Sequence, residues 1–225
     1  ILPNLSKYIQ SKKKNEIDFI QNKALELSLF LSLPAAISLL IGSEEITSSL
    51  FGYGSFDEFS VKNTSTALFY FALGLPAFSL IKVFSSFLFA RHNTKVPFYF
   101  SLISVILNVV ISIYFFNKIG FIIIPIATTI ASWFNALILF VYLHNNKYYF
   151  FNSLFLVAMP RIILSTLLMG FTFNYLIIFF NEKLAYFSEY KLVYLCFIVL
   201  ITFLIYIFIS ILTKAFKIND IKLKY

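Results

Sequence analysis

Charge is what this chain has least of. Only 12 % of its 225 residues are Asp, Glu, Lys or Arg, against 60 % hydrophobic residues and a positive mean hydropathy. A water-soluble domain of this length carries about a quarter charged residues, so the composition excludes one and places the chain in a bilayer. Cysteine is nearly absent too. The single Cys196 excludes a disulfide within the chain and any multi-Cys metal site. Two histidines, His92 in a predicted loop and His144 at a predicted helix end, have no Cys, Asp or Glu at ligand or triad spacing, so neither a metal centre nor a catalytic triad can be assembled. No cofactor is expected. Glu26 is the only carboxylate inside a predicted span and lies within a turn of its end, where solvation is expected and no acidic proton relay can start. The first 23 residues are polar and Lys-rich, with no apolar stretch followed by a small-residue cleavage site, so no cleavable signal is read there. The chain opens on Ile1 rather than Met, which suggests a fragment.

The apolar residues fall into six segments, 24–43, 64–90, 97–116, 119–143, 154–180 and 192–213, each near the roughly 20 residues a spanning helix needs. None shows strict alternation. Only helices can then satisfy the backbone in lipid, and the expected fold is all-α, a polytopic transmembrane helix bundle of six helices. The net charge of +8 does not point to nucleic acid, because the basic residues stand at helix ends rather than on one polar face. Lys7, Lys12, Lys13, Lys14, Lys23, Arg91, Lys95, Lys147, Arg161, Lys214, Lys217, Lys222 and Lys224 fall on one side. Lys62, Lys118, Lys183 and Lys191 fall on the other, beside an acidic loop with Glu44, Glu45, Asp57 and Glu58. The positive-inside rule therefore puts both ends of the chain in the cytoplasm. Pro34, Pro76, Pro125 and Pro160 lie in or near the starts of spans, as static kinks or as the bends of discontinuous transport helices. Phe51-Gly52-Tyr53-Gly54-Ser55-Phe56 reads as a tight turn anchored by its two Phe, with none of the surroundings of a phosphate loop.

Several polar residues stand where lipid would reject them. Lys82 lies nine positions before Arg91, roughly 13 Å deeper along a helix. A central Lys costs about 2.5 to 3.5 kcal/mol on insertion scales, which marks Lys82 as a path or site residue; the other reading is a side chain snorkelling to the headgroups. Ser101, Ser104, Asn108 and Ser112 form one stripe on the third predicted helix, and Thr128, Ser132 and Asn135 form one on the fourth. A short turn at Asn117 and Lys118 makes those helices antiparallel neighbours. Their stripes either hydrogen-bond the helices together or wall a hydrated cavity, in which Asn108 and Thr128 would be weak candidate ligands for a monovalent cation. The last two helices are apolar nearly all round, apart from Arg161, Ser165 and Thr172 on one side of the fifth. Such surfaces belong against lipid or around a lipid tail.

Three motifs in order carry a family resemblance: Leu2-Pro3-Asn4-Leu5-Ser6, then Leu50-Phe51-Gly52-Tyr53-Gly54-Ser55-Phe56, then Lys82-Val83, Phe89-Ala90-Arg91, Thr94-Lys95 and Pro97. The chain resembles the MurJ/MviN lipid II flippases of the multidrug/oligosaccharidyl-lipid/polysaccharide exporter superfamily over nearly its whole length. It departs at Asn93, where the family has Asp, at Phe89, where it has Tyr, and around Ser86, where a Pro is frequent. The lost Asp leaves Arg91 and Lys95 without a local partner.

The resemblance implies a partial MATE-like fold matching only the family's last six helices. It implies a cytoplasmic segment 1–23, four helices of a second lobe over 24–143, two additional helices over 144–213 forming a lipid-tail groove with Arg161, Ser165 and Thr172, and a cytoplasmic tail 214–225. It further implies alternating access around a cavity for an undecaprenyl-pyrophosphate-linked precursor in the bacterial inner membrane. Lys82, Arg91, Lys95, Asn108, Ser112, Thr128 and Asn135 would lie along the substrate path. The expected partners are that lipid, membrane lipids and amino-terminal helices in the same or another chain. The alternatives are a membrane fragment or structural protein without transport, or another polysaccharide or drug exporter of the superfamily.

Overall fold

In the computed structural model the described residues are 2–11 and 13–215, and the side chains of Leu2, Pro3, Asn4, Gln10 and Leu154 lie outside the description. Ile1, Lys12, Lys217, Lys222 and Lys224, with most of the predicted tail, lie outside it as well. The described chain is helical: α1 Leu2–Gln10, α2 Lys14–Ile41, α3 Ser43–Phe51, α4 Glu58–Phe89, α5 Lys95–Ile119, a 3-10 turn Gly120–Ile122, α6 Ile123–Asn145, α7 Ser153–Phe179, α8 Asn181–Leu184 and α9 Lys191–Leu212.

Five stretches are long and apolar enough to cross a membrane, not the expected six: Lys14–Ile41, Glu58–Phe89, Lys95–Asn145, Phe155–Phe179 and Lys191–Leu212. The difference lies in the third, of 51 residues, which contains both expected segments 97–116 and 119–143. No polar loop separates them. Gly120, at φ +74°, takes a backbone conformation that a side chain would strain, and the chain re-enters a helix within one 3-10 turn. The two arms, α5 and α6, pack along each other. Asn108 Nδ2 donates to Thr128 Oγ1 at 2.9 Å and Asn135 Nδ2 to Ser101 Oγ at 3.5 Å, both pairs centred on position 118, as an antiparallel hairpin requires.

Two other expectations change. The first spanning helix begins at Lys14, ten residues before the expected start at 24, because Glu16, Ile17 and Phe19 continue the helical pattern into polar sequence. The loop expected over 44–63 contains α3, whose first turn carries Glu44 and Glu45 where the helix dipole favours anions. Asp57, just before α4, accepts the Ser60 N–H at 2.8 Å, and hydrogen bonds from the Ser60 side chain first and its backbone second hold the carboxyl below the usual carboxylate range.

The chain packs as two compact units, Ile1–Ser32 with Leu73–Leu156, and Leu33–Ala72 with Val157–Tyr225. In sequence, α2, α4 and α7 each pass from one unit to the other close to Pro34, Pro76 and Pro160, where a helix lacks one backbone hydrogen bond. In the first unit the core is aromatic: Phe84, Phe87, Tyr149 and Phe155 are buried, and Phe140 and Phe151 stack among them at centroid distances of 5.2 to 6.4 Å. In the second, α7 meets the end of α2 through glycines, since a Cβ on Gly170 would lie 2.7 Å from Ile37 and one on Gly42 2.8 Å from Phe173. Small residues of this kind let helices approach closely where lipid gives no hydrophobic drive.

Candidate functional site

Lys82 stands two turns inside the end of α4, flanked by apolar residues, and is exposed. It has no hydrogen bond, ion pair or ring contact among the described residues. It is an exposed cation on an apolar helix.

Arg91 is different. It follows α4, donates from one nitrogen to the Phe87 carbonyl at 2.8 Å and from another to the Tyr148 carbonyl at 2.9 Å, and lies 4.8 Å above the Tyr148 ring. Burial pushes its pKa down from the usual value, while Tyr148 and Asp18 pull it back. The chain thus supplies from a distant loop the partner that the missing Asp would have given. At the Asp position, Asn93 Oδ1 accepts the Val96 N–H at 3.3 Å, opening α5, and its amide reaches Tyr142 Oη at 3.5 Å. His92, at φ +56°, ends α4 in the left-handed region, with the Asn93 N–H bonded to the Leu88 carbonyl and the His92 N–H to the Phe89 carbonyl. Lys95 is exposed in the first turn of α5.

The two polar stripes meet. Asn108 Nδ2 donates to Thr128 Oγ1, Thr128 Oγ1 donates to the Ile124 carbonyl at 2.8 Å, and Ser112 Oγ donates to Asn108 Oδ1 at 3.2 Å. Ser104 and Ser132 turn back onto their own helices, to Phe100 and Thr128 carbonyls. Of the oxygens offered as cation ligands, Thr128 Oγ1 accepts the bond that joins α5 to α6 and Asn108 Oδ1 accepts one within α5, so both already have partners and the Asn108–Thr128 pair is helix-joining. Asn135 Oδ1 is buried and has no partner among the described residues.

Of the predicted groove residues, Thr172 lines an apolar groove. An apolar groove of about 320 Å3 lies between α7 and α9, walled by Phe171, Thr172, Tyr175, Leu176, Ile201 and Ile205. Arg161 and Ser165 lie elsewhere on α7 and tie it to the end of α9: Arg161 reaches the Lys214 carbonyl at 3.5 Å, and Ser165 Oγ lies 3.1 Å from Thr213 Oγ1.

Three residues with ordered polar roles escape sequence reasoning. Asn22, 2 % exposed, donates to the Asp18 and Phe150 carbonyls and accepts from Tyr149 Oη at 3.0 Å and the Asn152 N–H at 3.1 Å. Both donors and both acceptor positions of its amide are used. Tyr149, fully buried, has its pKa pushed up by that burial. Lys191, 1 % exposed, donates to the Gly52 carbonyl at 2.6 Å and the Tyr186 carbonyl at 2.8 Å, with its ammonium 4.3 Å from the Tyr53 ring and 4.6 Å from the Tyr186 ring. A Cβ on Gly52 would lie 2.6 Å from the Ser48 carbonyl and 3.2 Å from that ammonium, so the turn has room only for glycine. Glu26 is also corrected. It is not a solvated end residue, since its side chain is 14 % exposed and paired with Lys23 at 2.6 Å.

Residues 1–195 match the family described as lipid II flippase MurJ. A probable lipid II flippase MurJ of Rhizobium meliloti (strain 1021) is 36 % identical over 170 residues, which are 76 % of this chain and 32 % of that protein. The corresponding protein of Rickettsia prowazekii (strain Madrid E) is 36 % identical over 142 residues, 63 % of this chain and 28 % of that one. Among solved structures, a lipid II flippase MurJ in an inward closed conformation superposes with a TM-score of 0.71 at 28 % identity, covering 93 % of this chain and 41 % of that one. The chain thus spans about a third of the length of the curated relatives it matches. With residues 1–195 matched to the family and the helical architecture superposing on that structure, the chain belongs to the lipid II flippase MurJ family.

Proposed function

We propose that the protein carrying this chain is a lipid II flippase of the bacterial inner membrane that works by alternating access, and that this chain forms the carboxy-terminal part of it. Residues 24–143 belong to the second lobe, 144–213 to two additional helices, and 1–23 and 214–225 to the cytoplasmic side, as the Lys and Arg asymmetry favours. The precursor changes sides with no bond made or broken. Two lobes rock about a central cavity that holds its pyrophosphate and sugars, and the prenyl tail stays in lipid, seated along the apolar groove between α7 and α9.

The observation that carries this reading is Lys82, a cation within an apolar helix that the chain's own packing leaves exposed. A Lys is a compact point charge suited to phosphate, and a partly dry cavity strengthens the attraction. Arg91 anchors the cytoplasmic turn rather than meeting substrate, and Lys95, exposed beside it, faces the entrance. Ser112, Asn108, Thr128 and Asn135 hold the α5–α6 hairpin that forms the cavity wall. Transport belongs to the intact protein.

The test is Lys82→Ala in the intact protein, read by precursor translocation in vesicles and by abundance in the membrane. Translocation is expected to fall about a hundredfold, the scale of one charge-assisted phosphate contact, with abundance unchanged. Normal translocation by Lys82→Ala would leave Lys82 a snorkelling residue and remove the reading's main support.

A further inference from the structure

One region of the second unit serves none of these roles. The start of α3, the start of α4 and α8 enclose a half-open cavity of about 350 Å3, lined by Glu44, Glu45, Ser48, Glu58, Lys62 and Tyr186 among others. Three carboxylates there face one ammonium.

Carboxylates in first turns are ordinarily explained by the helix dipole, and Glu44, Glu45 and Glu58 all occupy such positions. Ser48 exceeds that explanation. It is 5 % exposed, lines the cavity, and its Oγ has no hydrogen-bond partner among the described residues. A helical hydroxyl ordinarily bonds the carbonyl one turn back, as Thr47 does to Ser43 at 2.7 Å. Ser48 instead carries an unused donor and acceptor, on the same helix face as Glu44 and Glu45 at three and four residues' spacing. Glu45 is half-buried, and that burial, with Glu44 beside it, raises its pKa. The wall carries three carboxylates against the one ammonium of Lys62, a net negative charge.

The geometry also selects the kind of cation. Among the described residues no three His, Cys, Asp or Glu side chains gather closely enough to hold a metal ion, so the carboxylates do not converge on a point. A primary ammonium, with three N–H donors, can bridge separated acceptors. Lys62 supplies a place for an anion next to it. Close in sequence to the lining residues stand exposed rings, Phe51 at 58 %, Phe59 at 73 %, Phe187 at 84 % and Tyr190 at 64 %, of the kind found at a membrane–water interface.

We propose that this cavity binds the primary ammonium of a zwitterionic aminophospholipid headgroup, with Ser48 Oγ and the carboxylates of Glu44 and Glu45 accepting its N–H groups and Lys62 answering its phosphate. The site is independent of the flipping reading, and its test does not use translocation.

The intact protein in detergent is titrated calorimetrically with short-chain phosphatidylethanolamine, with the matching phosphatidylcholine, whose nitrogen has no N–H, and with ethanolamine. Phosphatidylethanolamine binds saturably and phosphatidylcholine at least about tenfold more weakly, the effect of losing hydrogen bonds to charged groups. Glu45→Gln weakens the first by about tenfold and Ser48→Ala by about fivefold, while Ser48→Ala keeps or raises the thermal midpoint because it removes an orphaned polar group. That last pair of readouts separates a ligand contact from a merely structural serine. Equal binding of the two phospholipids, or affinity unmoved by both substitutions, overturns the proposal. Ethanolamine binding as tightly as the lipid overturns the headgroup assignment and gives the site to a free amine.

Discussion

In the first unit the Arg91 guanidinium gives its hydrogens to two carbonyls, of Phe87 and Tyr148, and lies on an aromatic ring. In the second, the Lys191 ammonium does the same with the carbonyls of Gly52 and Tyr186 and the rings of Tyr53 and Tyr186. The two share chemistry but not sequence context. Each cation sits where a helix ends, α4 for Arg91 and α3 for Lys191, and takes one carbonyl at or just past that end, Phe87 or Gly52, and one from a distant or neighbouring loop, Tyr148 or Tyr186. Aromatic faces complete the enclosure, since a ring attracts a cation without needing a counter-charge. These two positive charges are thus tied to the backbone rather than to a carboxylate. Lys82 lies inside an apolar helix and is tied to nothing among the described residues, and the proposed function draws on that contrast.

The contrast can be broken most directly at Lys191. Lys191→Met fills much of the volume but abandons two buried carbonyls, and is expected to lower unfolding stability by about 2 to 4 kcal/mol, measured by thermal denaturation of the purified protein in detergent. A loss below about 0.5 kcal/mol would show that the enclosure is incidental. The first unit has its own polar anchor in Asn22, and Asn22→Ala strands the Tyr149 hydroxyl and three backbone groups; a loss of about 2 to 3 kcal/mol is expected in the same assay. Arg91→Lys sharpens the comparison, because the Phe87 and Tyr148 carbonyls are met by two separate guanidinium nitrogens whose positions one ammonium nitrogen does not reproduce, and about 1 to 2 kcal/mol is expected to go. Lys82→Ala, by contrast, should change stability by less than about 0.5 kcal/mol, leaving translocation as its only large effect.

The smallest expected effect is at Glu45. Its folded pKa lies above the ordinary 4.5, so its contribution to stability is intact below that value and is lost as pH rises through the folded pKa. Glu44, Glu58 and Lys62 are the charged groups that share its cavity. Glu45→Gln should thus raise the thermal midpoint at about pH 7 and leave it unchanged at about pH 4, where the carboxyl of the natural chain is already protonated. A midpoint raised equally at both values would locate the gain in packing rather than in charge.

Much of the architecture was legible because it depends on local pattern. Apolar runs announced the helices, and the two polar stripes of α5 and α6 announced their own pairing, since the turn between them is short enough for one register. The break between α5 and α6 was the least legible, because no polar loop marks it and the chain turns at Gly120 within one 3-10 turn, so five continuous stretches stand where six segments were read. Arg91 was visible as a basic loop residue, but its partner was not, because Tyr148 lies 57 positions away. The same holds more strongly for Lys191, whose carbonyl partner on Gly52 is 139 positions off, and for Asn22, which closes on a loop 128 positions later. Nothing in the local spacing of those residues distinguishes them from other polar residues at helix ends.

By itself the sequence determined that this chain lives in a bilayer as helices and which polar residues lipid would not tolerate, because transfer energies and periodicity act on neighbours in the chain. Only the tertiary structure decided which of those charges are satisfied. A cation becomes structural when distant carbonyls and rings are folded around it, as for Arg91 and Lys191, and remains available when, as for Lys82, none are.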